Sequence, residues 1–268
     1  MLFRATIGLT WHPGMKFATF GTLVPFEFFP IRRKNVRTKQ QGFTLIEIAI
    51  VLVIIGLLLG GVLKGQELIT SARVRNLISQ QEGVKAAYFG FLDRYRALPG
   101  DYGAASTNIS CTPACTNGNN NGTIRSIADG DTVDEPIAAW EHLSKSGFIN
   151  GSFTCAAAES AATTPTNAFA VRLRLIFDLV FDEGPAPGAQ ATTSRHNLKT
   201  GGQIPSDLLA EIDRKVDDGS ATGGVFRFSA YDGGAGVPVG STSCYLAAAP
   251  NAWNATAPVA NCGGATLF

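Results

Sequence analysis

From Phe43 to Leu63 the chain is apolar for 21 residues, with a single charge, Glu47, inside the run. As a helix rising about 1.5 Å per residue this run is roughly 31 Å long, the thickness of a hydrocarbon core, so the pattern predicts a transmembrane helix over 43–63. Past Lys64 the pattern becomes one-sided. Val74, Leu77, Gln81, Val84, Tyr88, Phe91, Tyr95 and Leu98 recur at steps of three and four, with Gln81 the one polar member. That stripe predicts that the helix continues as an amphipathic segment over 64–98, where Pro99 and Gly100 stop it. A continuous helix of this extent would be about 84 Å long and could not bury itself in a compact domain, so its front half must meet lipid or other subunits. A membrane-anchored coiled coil is the competing reading, with fewer than four heptads to support it.

Residues 99–268 change character and predict an α+β globular domain. Residues 102–134 are rich in Gly, Asn, Ser and Thr and read as a long loop. Asp134, Glu135 and Pro136 open a short helix that turns Ile137, Trp140 and Leu143 inward and stops at Gly147. Alternation from Phe169 to Phe177 predicts a strand, as does the run from Val225 to Tyr231, with Ser243 to Ala247 a further candidate. Between them a second helix runs from Ser206, read as its cap, to Val216, ended by Gly219.

Charge then orients the chain. The totals, 22 basic against 21 acidic residues, nearly cancel, but residues 1–42 carry seven Lys or Arg and one acid, Glu27. Everything after them is net acidic, which argues against a nucleic-acid partner. Arg32, Arg33, Lys34, Arg37 and Lys39 precede the apolar run, so the positive-inside rule keeps residues 1–42 in the cytoplasm and sends everything past Lys64 across the membrane. A secretory signal peptide has a shorter apolar region followed by a small-x-small cleavage site, and neither feature is present. The upstream stretch 17–31 contains Pro25, Glu27 and Pro30 and makes a poor second span; Met15 is an alternative start.

Glu47 is the anomaly of the span. An acid at membrane depth costs about 3 kcal/mol, which fifteen Phe, Leu, Ile and Val residues offset, but it still lacks a partner. No Lys, Arg or His lies between Phe43 and Leu63, so a cation must come from a newly created amine or from another subunit. Gly56 and Gly60, and again Gly61 and Gly65, repeat the small-xxx-small spacing that lets membrane helices approach closely. They also weaken the helix by up to about 1 kcal/mol each relative to Ala.

The six residues Gly42, Phe43, Thr44, Leu45, Ile46 and Glu47, set between a basic segment and an unbroken apolar run, resemble the processing site of type IV pilins and of the pseudopilins of type II secretion. The resemblance implies cleavage between Gly42 and Phe43 by a prepilin peptidase, N-methylation of Phe43, and neutralisation of the freed amine by Glu47 of a neighbouring subunit. It implies a pilin-like fold, a long N-terminal helix packed against a C-terminal antiparallel β-sheet. It also implies residence in a bacterial inner membrane with the C-terminal domain in the periplasm, an inner-membrane assembly platform as partner, and assembly into a pilus or pseudopilus. Two departures stand out: the 42-residue leader is longer than usual, and Lys64 replaces the proline that often ends the apolar run. Residues 95–102 and 212–219 resemble, more loosely, segments of a bacterial pilin-like subgroup.

All five cysteines, Cys111, Cys115, Cys155, Cys244 and Cys262, fall on the translocated side, where disulfides persist. Cys244 with Cys262 would close a C-terminal loop as in many pilins; Cys111 and Cys115 could close a small one and leave Cys155 over, and other pairings stay open. Zinc is a rival reading without a nearby histidine to support it. Asn117, Asn119 and Asn121, with Gly122, match the first half of a calcium loop, but the twelfth position is Ala128, not the bidentate acid. Asp217 and Asp218 at a helix C-terminus oppose its dipole and are candidates to meet a cation or another subunit. No nucleophile elbow, phosphate loop or zinc-protease motif occurs, and His142 and His196 read as surface groups, so the chain is expected not to be an enzyme. The function expected is a structural filament subunit. A minor subunit that primes or tips a secretion pseudopilus is the alternative within the family, and a membrane-anchored extracytoplasmic binding or enzymatic domain the alternative outside it.

Overall fold

The computed structural model describes residues 42–184, 188–234, 240–247 and 251–268. The basic leader expected over 1–42 lies outside these, apart from Gly42. Helix α1 spans Leu45–Tyr95, and the elements after it are α2 (Ala105–Asn108), a 3-10 turn (Ile127–Asp129), α3 (Glu135–Lys145), β1 (Arg174–Asp178), β2 (Arg195–Lys199), α4 (Ser206–Val216), β3 (Phe226–Phe228), α5 (Ser241–Cys244) and β4 (Gly264–Leu267). The strands form one antiparallel sheet in the order β1-β2-β4-β3. A long N-terminal helix and a C-terminal four-stranded antiparallel sheet make this an α+β, pilin-like fold.

Two compact units are distinguished, one ending at Leu52 and one comprising Val53–Phe268. The described part of the first, residues 42–52, is exposed throughout. In the second, α1 buries Val74, Leu77, Gln81, Val84, Ala87, Tyr88 and Phe91, which is the three-four stripe of the sequence with Ala87 added. The helix ends at Tyr95, three residues before Leu98: Arg96 takes a left-handed φ of 55°, and Pro99 sterically disfavours helical backbone at Leu98.

Two cores lie along this stripe. Val74 and Leu77 pack with Leu209 and Ile212 of α4, Phe226 and Phe228 of β3, Tyr245 and Trp253. Val84, Tyr88 and Phe91 pack with Trp140 and Leu143 of α3 and with Leu175 and Leu198, directly paired across β1 and β2. Gln81 falls between the cores and is tolerated because its Oε1 accepts a 2.9 Å bond from the Thr266 hydroxyl on β4. The opposite face of the sheet is covered by the chain that follows β1: Phe181 and Ala191 meet Ala265 and Leu267. Beside them Lys199, almost fully buried, pairs with Asp178 and donates to the Val180 carbonyl at 3.2 Å.

Several local expectations are corrected. The strand expected over 169–177 is confined to β1, because Asn167 Oδ1 accepts the N–H groups of Phe169 and Val171 and folds that stretch into a turn, with Ala170 at φ 60°. The strand from Val225 shortens to three residues, and Ser243 to Ala247 is a helical turn followed by a bridge between Tyr245 and Trp253. Pro205, not Ser206, occupies the N-cap of α4. The Ser206 hydroxyl instead donates to the Asn254 carbonyl at 2.6 Å and accepts the Val259 N–H at 2.9 Å, tying the last connection onto the helix start.

A disulfide joins Cys244 to Cys262, both buried, and another joins Cys111 to Cys115; Cys155 is unpaired and half-buried. The Cys244 bridge closes a loop of 18 residues between α5 and the start of β4, the strand that holds β2 and β3 together. Removing such a crosslink costs about 3 kcal/mol. Cys244→Ser with Cys262→Ser is expected to lower the unfolding free energy by that amount, whereas Cys155→Ser leaves it nearly unchanged; equilibrium denaturant unfolding checks both.

Candidate functional site

Phe43 and Thr44 precede α1, and Thr44 acts as its cap: its hydroxyl accepts the Glu47 N–H at 3.3 Å and its carbonyl the Ile48 N–H at 3.3 Å. Thr44 and Glu47 thus have the Thr-x-x-Glu spacing of a capping box, of which the Thr44 half is made, a local role for Thr44 that the sequence reading missed although the spacing carries it. An acid in the first turn also suits the positive end of the helix dipole. The Glu47 carboxylate itself has no hydrogen-bond or ion-pair partner among the described residues and is exposed.

From Leu45 to Leu63 no side chain is buried, with Leu45 93% and Leu57 73% exposed. This half of α1 is long and apolar enough to cross a membrane. A Cβ added at Gly56, Gly60, Gly61 or Gly65 would meet nothing within 4 Å; the first three are exposed and Gly65 is half-buried. At about 100° per residue, Gly56 and Gly60 share one face and Gly61 and Gly65 another, leaving two smooth patches on which a second helix could lie closely.

The segment carries a known signature. Residues 37–63 match the family model of the prokaryotic N-terminal methylation motif. This is the type IV pilin and pseudopilin signature. It takes in the end of the basic run, Gly42, Phe43, Glu47 and the apolar run to Leu63. Neither the curated proteins nor the solved structures give a match to the chain.

The C-terminal candidates have other surroundings. Asn117 Oδ1 accepts the Ser106 N–H, Asn119 Oδ1 that of Asn121, and Asn121 Oδ1 that of Thr123, while the amides of Asn119 and Asn121 both donate to Asp131. The loop sends its backbone donors inward to buried acids. Asp101 accepts from Asn121 and Gly122 at 2.8 Å each, Glu135 from Asn119 at 3.2 Å and Arg125 at 3.1 Å, and Glu141 from Thr116 at 2.8 Å and Cys155 at 3.1 Å. The asparagine oxygens that a calcium ion would need are engaged by N–H groups. Among the described residues, the group of acids whose oxygens lie together, within 4.8 Å, is Asp213, Asp217 and Asp218. Asp213 is fully buried, accepts from the Trp253 indole at 2.6 Å and is pushed up to about 7 by burial.

His142 is not a surface group. It is fully buried, stacks on Phe91, accepts the Gly100 N–H at Nδ1 (2.9 Å) and lies 2.7 Å from the Thr116 carbonyl through Nε2. That pair of partners requires the neutral tautomer with the proton on Nε2, so both nitrogens serve the backbone. His196 sits against Phe177 and Tyr88, its Nε2 buried without a partner. Burial lowers both, His196 to about 4.

A histidine whose folded value is depressed contributes stability above its unfolded value of 6.5, and that stability is lost as pH falls toward the folded one. These two histidines therefore contribute a loss of stability as pH falls from 6.5 toward 4, while Glu135 and Asp213, raised to about 7 by burial, act in the opposite sense. His196→Phe, which keeps the aromatic packing and removes the titration, is expected to gain stability relative to the unchanged chain as pH falls through this range; the difference between their thermal midpoints checks it.

Proposed function

We propose that this chain is a filament subunit made as a prepilin. A prepilin peptidase cuts it between Gly42 and Phe43 and Phe43 is N-methylated. The chain then rests in the inner membrane through 43–63, with 99–268 on the periplasmic side, until it joins other copies or related subunits in a pilus or pseudopilus. The observation that supports this is the conjunction of the methylation motif with an apolar half-helix that no other described residue covers. In the filament, Glu47 pairs with the amine freed at Phe43 of a neighbour. That pairing supplies the cation the span lacks, in surroundings where screening is slight.

Mass spectrometry of the mature protein is expected to find a chain beginning at Phe43 and carrying one added methyl group; an intact bond between Gly42 and Phe43 would overturn the reading. Glu47→Ala should be processed and inserted normally. It leaves the neighbour's charge unpaired, a loss of about 3–5 kcal/mol, so sheared-filament yield falls by roughly a hundredfold or more.

A further inference from the structure

Asparagine is followed by glycine three times in the chain, at Asn117 with Gly118, Asn121 with Gly122 and Asn150 with Gly151. Such a pair can react with itself, because the glycine nitrogen lies one residue from the asparagine side-chain carbonyl and no Cβ hinders its approach. All three asparagines are exposed, so access of water does not separate them. Restraint does.

The first two pairs are held at both reacting groups. Asn117 Oδ1 accepts the Ser106 N–H at 2.7 Å, and the Gly118 N–H donates to the Tyr102 carbonyl at 3.0 Å. Asn121 Oδ1 accepts the Thr123 N–H at 2.8 Å and its hydroxyl at 2.7 Å, the Asn121 amide donates to Asp131, and the Gly122 N–H donates to Asp101 at 2.8 Å. The third pair lies in the turn that follows α3. There, neither the Asn150 side chain nor the Gly151 N–H has a hydrogen-bond partner among the described residues, and Gly151, also exposed, takes a φ of 108°.

We propose that Asn150 is a site of self-modification, converted to isoaspartate and aspartate in the folded chain ahead of the other two pairs. The Gly151 nitrogen loses its proton and attacks the Asn150 side-chain carbonyl carbon. A new C–N bond closes a succinimide, the bond to the side-chain nitrogen breaks, and ammonia leaves with the proton. Water then opens the ring at either carbonyl, so an amide and a water become an acid and ammonia. The product places a carboxylate on the rim of a surface groove of about 410 Å³, beside Gln80 and Gly83 of α1 and Phe148 and Pro165. In the first two pairs the held groups must first be released, which slows the same reaction roughly tenfold or more.

Peptide mapping of the purified protein in detergent, sampled over time at mildly alkaline pH, tests this. Mass spectrometry is expected to show the one-unit mass gain at Asn150 roughly tenfold or more faster than at Asn117 or Asn121. In denaturant, with the Cys111 to Cys115 bridge reduced, the three rates should converge, and Asn150→Gln should remove the fast conversion from the folded protein. Equal rates at the three sites in the folded protein overturn the proposal. So does an equally large lead for Asn150 in denaturant, which would trace the selectivity to neighbouring sequence and not to the fold.

Discussion

An apolar helix surface that no other described residue covers calls for some other cover, and for residues 45–63 the assembly reading offers two: lipid and the helices of other subunits. These are nearly equivalent as solvents for Leu, Ile and Val, because hydrocarbon tails are as apolar as the side chains themselves. Hydrophobic burial alone therefore favours neither. What separates the two environments is the polar and steric content of the segment. Glu47 is costly among lipid tails and favourable beside a cation, and the paired glycines let helices approach more closely than lipid can. On the assembly reading, a few positions decide where the helix resides, and the many aliphatic ones ensure only that it resides somewhere dry.

The second half of α1 obeys a different rule. There a stripe of three-four spacing meets a sheet in its own chain, and the interruption at Gln81 shows how the packing accommodates a polar group. Gln81 lies at the level of Thr266, so one side-chain hydrogen bond supports it between two separate cores. An aliphatic residue there would fuse the two cores along the helix.

What was legible in the sequence follows from how local each signal is. The helical course of the apolar run, the buried stripe of α1, α3 with Ile137, Trp140 and Leu143 inward, and the extent of α4 come from periodicity and end signals within one helix, and they stand. β2 and β4 were missed because their burial is set by neighbours. Arg195–Lys199 contains one aliphatic residue, Leu198, yet lies mid-sheet, and Gly264–Leu267 is four residues long with a glycine at its start. The capping relation of Thr44 and Glu47 was legible from spacing and was overlooked in favour of the carboxylate's membrane depth. The burial of His142 was not legible, because its partners at Gly100 and Thr116 are backbone groups distant in sequence.

The loop after Asp101 shows what residue types alone leave open there. Asparagine, glycine and nearby acids at alternating positions suggest oxygens gathered around a cation. In the fold the polarity is inverted: backbone N–H groups are gathered around carboxylates, two each for Asp101, Glu135 and Glu141. Burial pushes Asp101 up and Glu135 up to about 7, while those same N–H bonds pull the other way. For Glu135 both oxygens face donors, so protonation would set an O–H against an N–H; the geometry suits the ionised form. With neutral His142 bonded to Gly100 and Thr116, these acids tie the small disulfide loop to α3 and to the chain leaving α1. The loop is thereby ordered by hydrogen bonds that all originate within the chain, and its asparagines are turns that deliver donors to the acids.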